Sequence, residues 1–192
     1  NKYIPIRPQF TSVCYEIADE VKDVLITTGG ADQYNIAGAI YKTLNRADIR
    51  YHLIAGMYNP FISELRKLEA ENDNLVIYQN VSDMASIMKK CDIAITAGGS
   101  TLYELSAIGV PIICFSYADN QVPGCNYIGT NISDYAGAYD KDAEGMLLRL
   151  KELFFGDYSK KEKRELCSKR EKEMVDGKGS ERIARILVEY CK

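Results

Sequence analysis

Residues 92–121 read DIAITAGGSTLYELSAIGVPIICFSYADNQ, and their pattern decides the fold. The apolar run Ile93 to Thr96 meets Gly98-Gly99 and then Ser100-Thr101, a pair suited to capping a helix. The helical segment that follows carries Glu104 and stops at Gly109, just ahead of Pro111. A second apolar run, Ile112 to Phe115, delivers Ala118-Asp119-Asn120-Gln121. This is a strand, glycine turn, helix, strand unit. Its polar residues gather at the strand ends, where open α/β sheets bind ligands. The stretch therefore predicts a nucleotide or phosphate site.

The same alternation recurs upstream. Asp23 to Thr28 (DVLITT) is a β-branched run with few polar residues, which suits a strand covered on both faces. Gly29-Gly30-Ala31-Asp32 then turns the chain into a helix from about Asn35, with Ile36, Ala39, Ile40 and Leu44 on one face. Ile49 to Ala55 is the next predicted strand, ending at Gly56. Asn59-Pro60 supplies a helix cap and a first-turn proline for a helix with Phe61, Leu65 and Leu68 as its buried stripe. Leu75 to Tyr78 leads through Gln79-Asn80-Val81 into a short helix, Asp83 to Lys90, and Ala136 to Tyr139 offers a sixth strand. Strands alternating with helical patterns predict right-handed β-α-β crossovers: an α/β, Rossmann-like parallel sheet with helices on both faces. Pro123-Gly124, directly after Asn120-Gln121, is expected to shift or shorten the helix that should begin there.

Past Asp142 the texture turns helical. Ala143, Met146, Leu147, Leu150, Leu153 and Phe154 form one stripe, and Tyr158 to Glu173 is a highly charged helix read as solvated. The last segment places Ile183, Ile186, Leu187 and Tyr190 on one face, so the C-terminus is helical. Residues 1–21, with Pro5 and Pro8, read as an interdomain linker or lead-in, and residues 22–192 as the domain proper.

Two stretches echo each other: Ile26 to Asp32 and Ile95 to Thr101 both set a glycine pair between a strand's carboxyl end and a helix start. Glycine lets backbone approach a ligand closely, and free N–H groups with the positive end of a helix dipole attract an anion. Two such loops suit one diphosphate. Neither fits the G-x-x-x-x-G-K-[ST] or G-x-G-x-x-G patterns, which speaks against a P-loop NTPase or an ordinary dinucleotide dehydrogenase. Glu104, one turn into its helix, reads either as a carboxylate favoured by the dipole or as a bidentate acceptor for two ribose hydroxyls.

With 192 residues and 46% hydrophobic content the chain buries a substantial core. A net charge of −3 gives no reason to expect nucleic acid, and no apolar run approaches the roughly 18 residues of a membrane span. The six cysteines, at 14, 91, 114, 125, 167 and 191, hold no C-x-x-C pair; reduced thiols in a cytoplasmic setting are expected, with no metal and no cofactor. The only histidine, His52, lies inside a strand pattern and reads as structural.

VLITTGGADQYN, the block from Asn80 to Gln121 with its G-G-S-T-x-x-E and A-D-N-Q motifs, and DGKGSERIA carry a resemblance. They are similar to the C-terminal half of the UDP-2,4-diacetamido-2,4,6-trideoxy-β-L-altropyranose hydrolases of pseudaminic acid biosynthesis. That family is similar in turn to the GT-B glycosyltransferase that makes lipid II. IPIRPQF resembles the segment joining the two domains of those hydrolases.

The resemblance implies the C-terminal half of a GT-B fold whose N-terminal catalytic domain lies outside these residues, joined in cis or pairing in trans. It implies UDP or a UDP-sugar as ligand. Gly29, Gly30 and Asp32, with Gly98, Gly99, Ser100 and Thr101, would hold the diphosphate; Glu104 would bind ribose. The backbone around Asn80 and Val81 would face uracil, while Asn120 and Gln121 reach the pyrophosphate or sugar, with Asn120 the catalytic candidate near the anomeric carbon. In that family hydrolysis is metal-independent and the base is a histidine of the N-terminal domain, a role not transferred to His52. Two other readings stand beside this one: the donor-binding half of a GT-B glycosyltransferase, and a non-catalytic interaction module.

Overall fold

The structure, a computed structural model, describes residues 3–191. Six strands form one parallel sheet: β1 (Asp23–Thr27), β2 (Arg50–Ala55), β3 (Leu75–Gln79), β4 (Ile93–Ala97), β5 (Ile112–Ser116) and β6 (Asp134–Ala138), in the order β3-β2-β1-β4-β5-β6. The chain therefore reverses its direction of travel across the sheet between β1 and β4, the switch point at which such sheets open a crevice. Registers are regular on either side of β1, with Thr27 level with Ile54 of β2 and Thr96 of β4.

Covered faces explain why the strands read as continuous apolar runs. Val24 and Ile26 of β1 point into one core with α1 (Ile36–Leu44), α2 (Ile62–Ala70) and α6 (Ala143–Glu152). Leu25, Ala94, Ile112 and Cys114 point into the other, against α3 (Met84–Met88), α4 (Thr101–Ile108) and α5 (Val122–Asn131). Gly109 closes α4 with φ +88° and donates its N–H to the Leu105 carbonyl at 2.8 Å.

Several boundaries move, each for a local reason. The side chain of Asn59 accepts the Phe61 N–H at 2.8 Å, a two-residue turn that keeps Pro60 outside α2 and starts that helix at Ile62. Pro123 does not shorten α5. It lies in the first turn, where a missing N–H costs nothing, and a 3-10 turn at Asp119–Gln121 feeds the helix. The lead-in is folded against the domain. Ile6 and Phe10 are buried in the second core, and the Tyr15 hydroxyl donates to the Cys91 carbonyl at 2.9 Å.

The charged helix α7 (Lys161–Met174) departs most from a solvated reading. Arg164, Cys167, Ser168, Glu171 and Met174 form its buried stripe. Arg164, fully buried, donates to the Ala18 and Asp19 carbonyls at 2.9 Å each and so clamps the lead-in. Glu171 accepts the Ile112 N–H at 3.0 Å and the Ser133 hydroxyl, and burial pushes its carboxyl up to about 8. The face of α8 (Gly179–Tyr190) that carries Ile183, Ile186, Leu187 and Tyr190 is, by contrast, exposed. Among the described residues no helix is long and apolar enough to cross a membrane, no group of His, Cys, Asp or Glu is arranged to hold a metal, and all six cysteines are free.

Candidate functional site

A cavity of about 500 Å³ opens at the carboxyl end of the sheet, centred on the switch point. The segments following β1 to β5 line it: Thr28-Gly29-Gly30, Gly56-Met57, Asn80-Val81 with Met84, Gly99-Ser100-Thr101, and Tyr117 with Gln121. No Asp, Glu, Lys, Arg or His side chain is among its lining residues.

The loops are fixed by one another. Gly29 turns with φ +89°, a conformation L side chains resist, and the Gly30 carbonyl then sits where a Cβ on Gly56 would be. Gln79 donates from its side-chain amide to the Gly56 and Met57 carbonyls, both at 3.3 Å, tying the β2 and β3 ends together. Asn80 follows in the left-handed region, φ 57°. The Gly98 N–H donates to the Phe115 carbonyl at 3.0 Å, and the Cys125 thiol fills the place of the missing Gly98 side chain. The Gln121 side chain accepts the Tyr117 N–H at 3.0 Å and so shapes the wall beyond β5.

Donors are what this cavity offers. Among the described residues, no hydrogen bond takes up the N–H groups of Gly29, Gly30, Ser100 or Thr101, nor the hydroxyls of Ser100 and Thr101. Ser100 provides no side-chain cap to α4, so the positive end of that helix faces the cavity undressed. The arrangement suits an anion rich in acceptor oxygens, held by neutral donors and a helix terminus.

The residues singled out from sequence divide into three groups. Gly29, Gly30, Asn80, Val81, Gly99, Ser100, Thr101 and Gln121 line the cavity together, with Gly98 just behind. Asp32 and Glu104 stand apart from it. Asp32 is buried and its two carboxylate oxygens accept the Ile36 and Ala37 N–H groups at 2.8 Å each, which finishes the start of α1. Beside it burial pushes the Tyr139 phenol up, helped by the Asp32 charge. Glu104 lines a smaller, neighbouring depression with Tyr3 to Ile6, Ser100 and Tyr103; its carboxylate accepts from the Arg7 guanidinium at 2.8 Å. Asn120 is exposed on the 3-10 turn and is not among the lining residues.

His52 is buried in the sheet with Nε2 2.7 Å from Asp23 Oδ1 and Nδ1 3.0 Å from the Tyr78 hydroxyl, and it does not line the cavity. Sequence reading passed over Thr28, Gly56, Met57, Tyr117 and Arg7. A usable signal existed for one of them: Thr27-Thr28 is where the apolar run of β1 turns polar at the cavity.

Three comparisons with known proteins bear on this geometry. The glycosyltransferase family 28 C-terminal domain matches residues 24–122, which run from β1 through the loop lining the far wall. The Helicobacter pylori protein described as pseudaminic acid cytidylyltransferase and UDP-2,4-diacetamido-2,4,6-trideoxy-beta-L-altropyranose hydrolase is 35% identical over 106 residues, covering 55% of this chain and 19% of that protein. Among solved structures, Acinetobacter baumannii MurG superposes with TM-score 0.68 at 15% identity, over 94% of this chain and 55% of that one. Anabaena HepE, solved in complex with UDP-glucose, gives TM-score 0.62 at 11% identity, over 88% and 49%. The chain thus spans a fifth of the curated relative and about half of each structural neighbour.

Proposed function

Since the chain belongs to the glycosyltransferase family 28 C-terminal domain family, we propose that its cavity binds UDP and the UDP end of a UDP-sugar. The observation that carries this is the set of unspent neutral donors around a crevice at the sheet's switch point. The N–H groups of Gly29 and Gly30 and those of Ser100 and Thr101, with their hydroxyls, surround the diphosphate. The backbone after β3, at Asn80-Val81, meets the uracil edge. Glu104, in the neighbouring depression that shares Ser100 with the cavity, accepts the ribose hydroxyls by exchanging its contact with Arg7.

In the fuller reading, this is the nucleotide-holding half of a UDP-sugar hydrolase of the pseudaminic acid type. Water attacks the anomeric carbon, the bond to the diphosphate breaks, and UDP leaves. The donors then act on the leaving group, where charge grows as the bond breaks. The cavity lining offers no carboxylate or imidazole to take the water's proton. The base is therefore assigned to an N-terminal domain, in cis or in trans, and Asn120 at the rim to the sugar side. A second reading has support in the family itself and in the likeness to MurG: the same half-site serving as the donor side of a GT-B transferase.

Calorimetric titration of the chain with UDP, UMP, ADP and CDP tests the common core. Expected is preference for UDP, weakened by Glu104→Ala. Failure to bind any of the four would overturn both readings.

A further inference from the structure

Thr28 stands out among the lining residues because its hydroxyl is both buried and unspent. The residue is 1% exposed, its Oγ1 has no hydrogen-bond partner, and it lines the cavity. The neighbouring strand shows the ordinary outcome. Thr96, also buried, donates its hydroxyl to the Ala97 carbonyl at 3.1 Å. A buried hydroxyl without a partner is a standing cost, and at the end of an apolar strand valine would fill the same volume without it.

Position gives the hydroxyl a use. Thr27 is level with Thr96 in the register, so Thr28 comes one step beyond that pair. It sits at the root of Gly29-Gly30 and, across the sheet, at the height where β4 gives way to Gly98-Gly99. The unspent groups around it on both loops are N–H donors. Adding a hydroxyl to a ring of donors completes a site for a ligand whose atoms are acceptors only, and the oxygens of an ionised diphosphate have that character.

We infer that Thr28 is a ligand-binding residue of this site, donating its hydroxyl to a phosphoryl oxygen of the bound nucleoside diphosphate midway between the two glycine loops. The inference rests on the proposed UDP site and adds to it a contact that Thr28 makes by turning about χ1, since its hydroxyl is covered in the free protein. It also makes the hydroxyl costly in the free protein and useful in the complex, so its removal should move stability and affinity in opposite directions.

The test compares wild type, Thr28→Val and Thr28→Ser by UDP calorimetry and by thermal melting without ligand. Thr28→Val is expected to weaken UDP binding about tenfold, as for a lost hydrogen bond to a charged group. Its Tm should stay level or rise by a few degrees. Thr28→Ser restores the hydroxyl and should bind UDP within about threefold of wild type, since only a methyl is lost. Wild-type affinity in Thr28→Val, or a marked drop in its Tm, would overturn the assignment while leaving the UDP site standing. Absence of UDP binding by the wild-type chain would remove both together.

Discussion

Gly29-Gly30 and Gly98-Gly99 each leave the carboxyl end of a central strand and enter a helix, yet the two helix starts are finished differently. After β1 the chain spends a carboxylate on itself: Asp32 accepts the Ile36 and Ala37 N–H groups and is buried by doing so. After β4 nothing of the kind happens. Gly99 donates back to Ala97 at 2.8 Å, Ser100 caps nothing, and the first turn of α4 opens on the cavity. Similar sequence grammar thus yields one helix start that is internally satisfied and one that is left for a ligand, while the Gly29 and Gly30 N–H groups ahead of the satisfied one stay unspent. A glycine pair before a helix marks only a place where backbone approaches closely; whether an anion can use the helix terminus depends on whether a side chain has already taken it.

The sharpest way to break the comparison is to remove the internal cap. Asp32→Ala leaves two buried N–H groups without acceptors, which should cost roughly 2–3 kcal/mol for charge-assisted bonds at a cap. In a domain of this size that corresponds to a fall in Tm of about 5–10 °C. UDP affinity, measured where the variant is folded, should change less than about twofold, a difference worth only some 0.4 kcal/mol. A variant that melts normally but loses UDP would mean that Asp32 serves the ligand after all, and that the two helix starts work alike.

The open loop should respond in the opposite sense. A Cβ at Gly99 would meet nothing within 4 Å, so Gly99→Ala fits the free protein and intrudes only on what the cavity holds. Melting should shift by no more than about 2 °C, as for a substitution that strains nothing and fills no core. UDP binding should weaken about tenfold, near 1.4 kcal/mol. Equal stability with unchanged affinity would show that the ligand does not approach the start of α4.

Which parts of this were legible in the sequence follows from what each part depends on. The sheet was legible because strands covered on both faces must be apolar through their centres, and VLI, IAI and IICF are. The cavity followed from where those runs end. The duty of Asp32 was not visible, because Asn35 adopts φ 53° and this left-handed residue brings a carboxylate four positions upstream onto the helix start. Thr28 was absorbed into its strand as a β-branched residue, and only the structure shows that its hydroxyl lacks a partner. Arg164 and Glu171 were lost in a charged run whose inner stripe is itself polar. They clamp the lead-in and the start of β5 through hydrogen bonds that periodicity does not register. Pro123 misled because its position in the first turn could not be known before the 3-10 turn ahead of it was seen.

The smallest expected effect concerns salt, and it separates two ways of holding the same charge. Where lysines or arginines hold a phosphate, screening weakens the complex as the Debye length shrinks from about 10 Å at 0.1 M salt to about 3 Å at 1 M. Here no cation is among the lining residues, and Arg7, whose partner Glu104 shares a depression with Ser100, is engaged with that carboxylate. Fixed N–H groups and a helix terminus at contact distance are screened little by ions that cannot enter between donor and oxygen. The Kd for UDP should therefore rise less than about threefold between 0.05 and 0.5 M NaCl, under 0.7 kcal/mol. A tenfold or larger rise, abolished by Arg7→Ala, would mean that the guanidinium leaves Glu104 for the diphosphate when ligand arrives. The open loop would then owe part of its affinity to a charge carried in by the lead-in strap rather than to its own backbone.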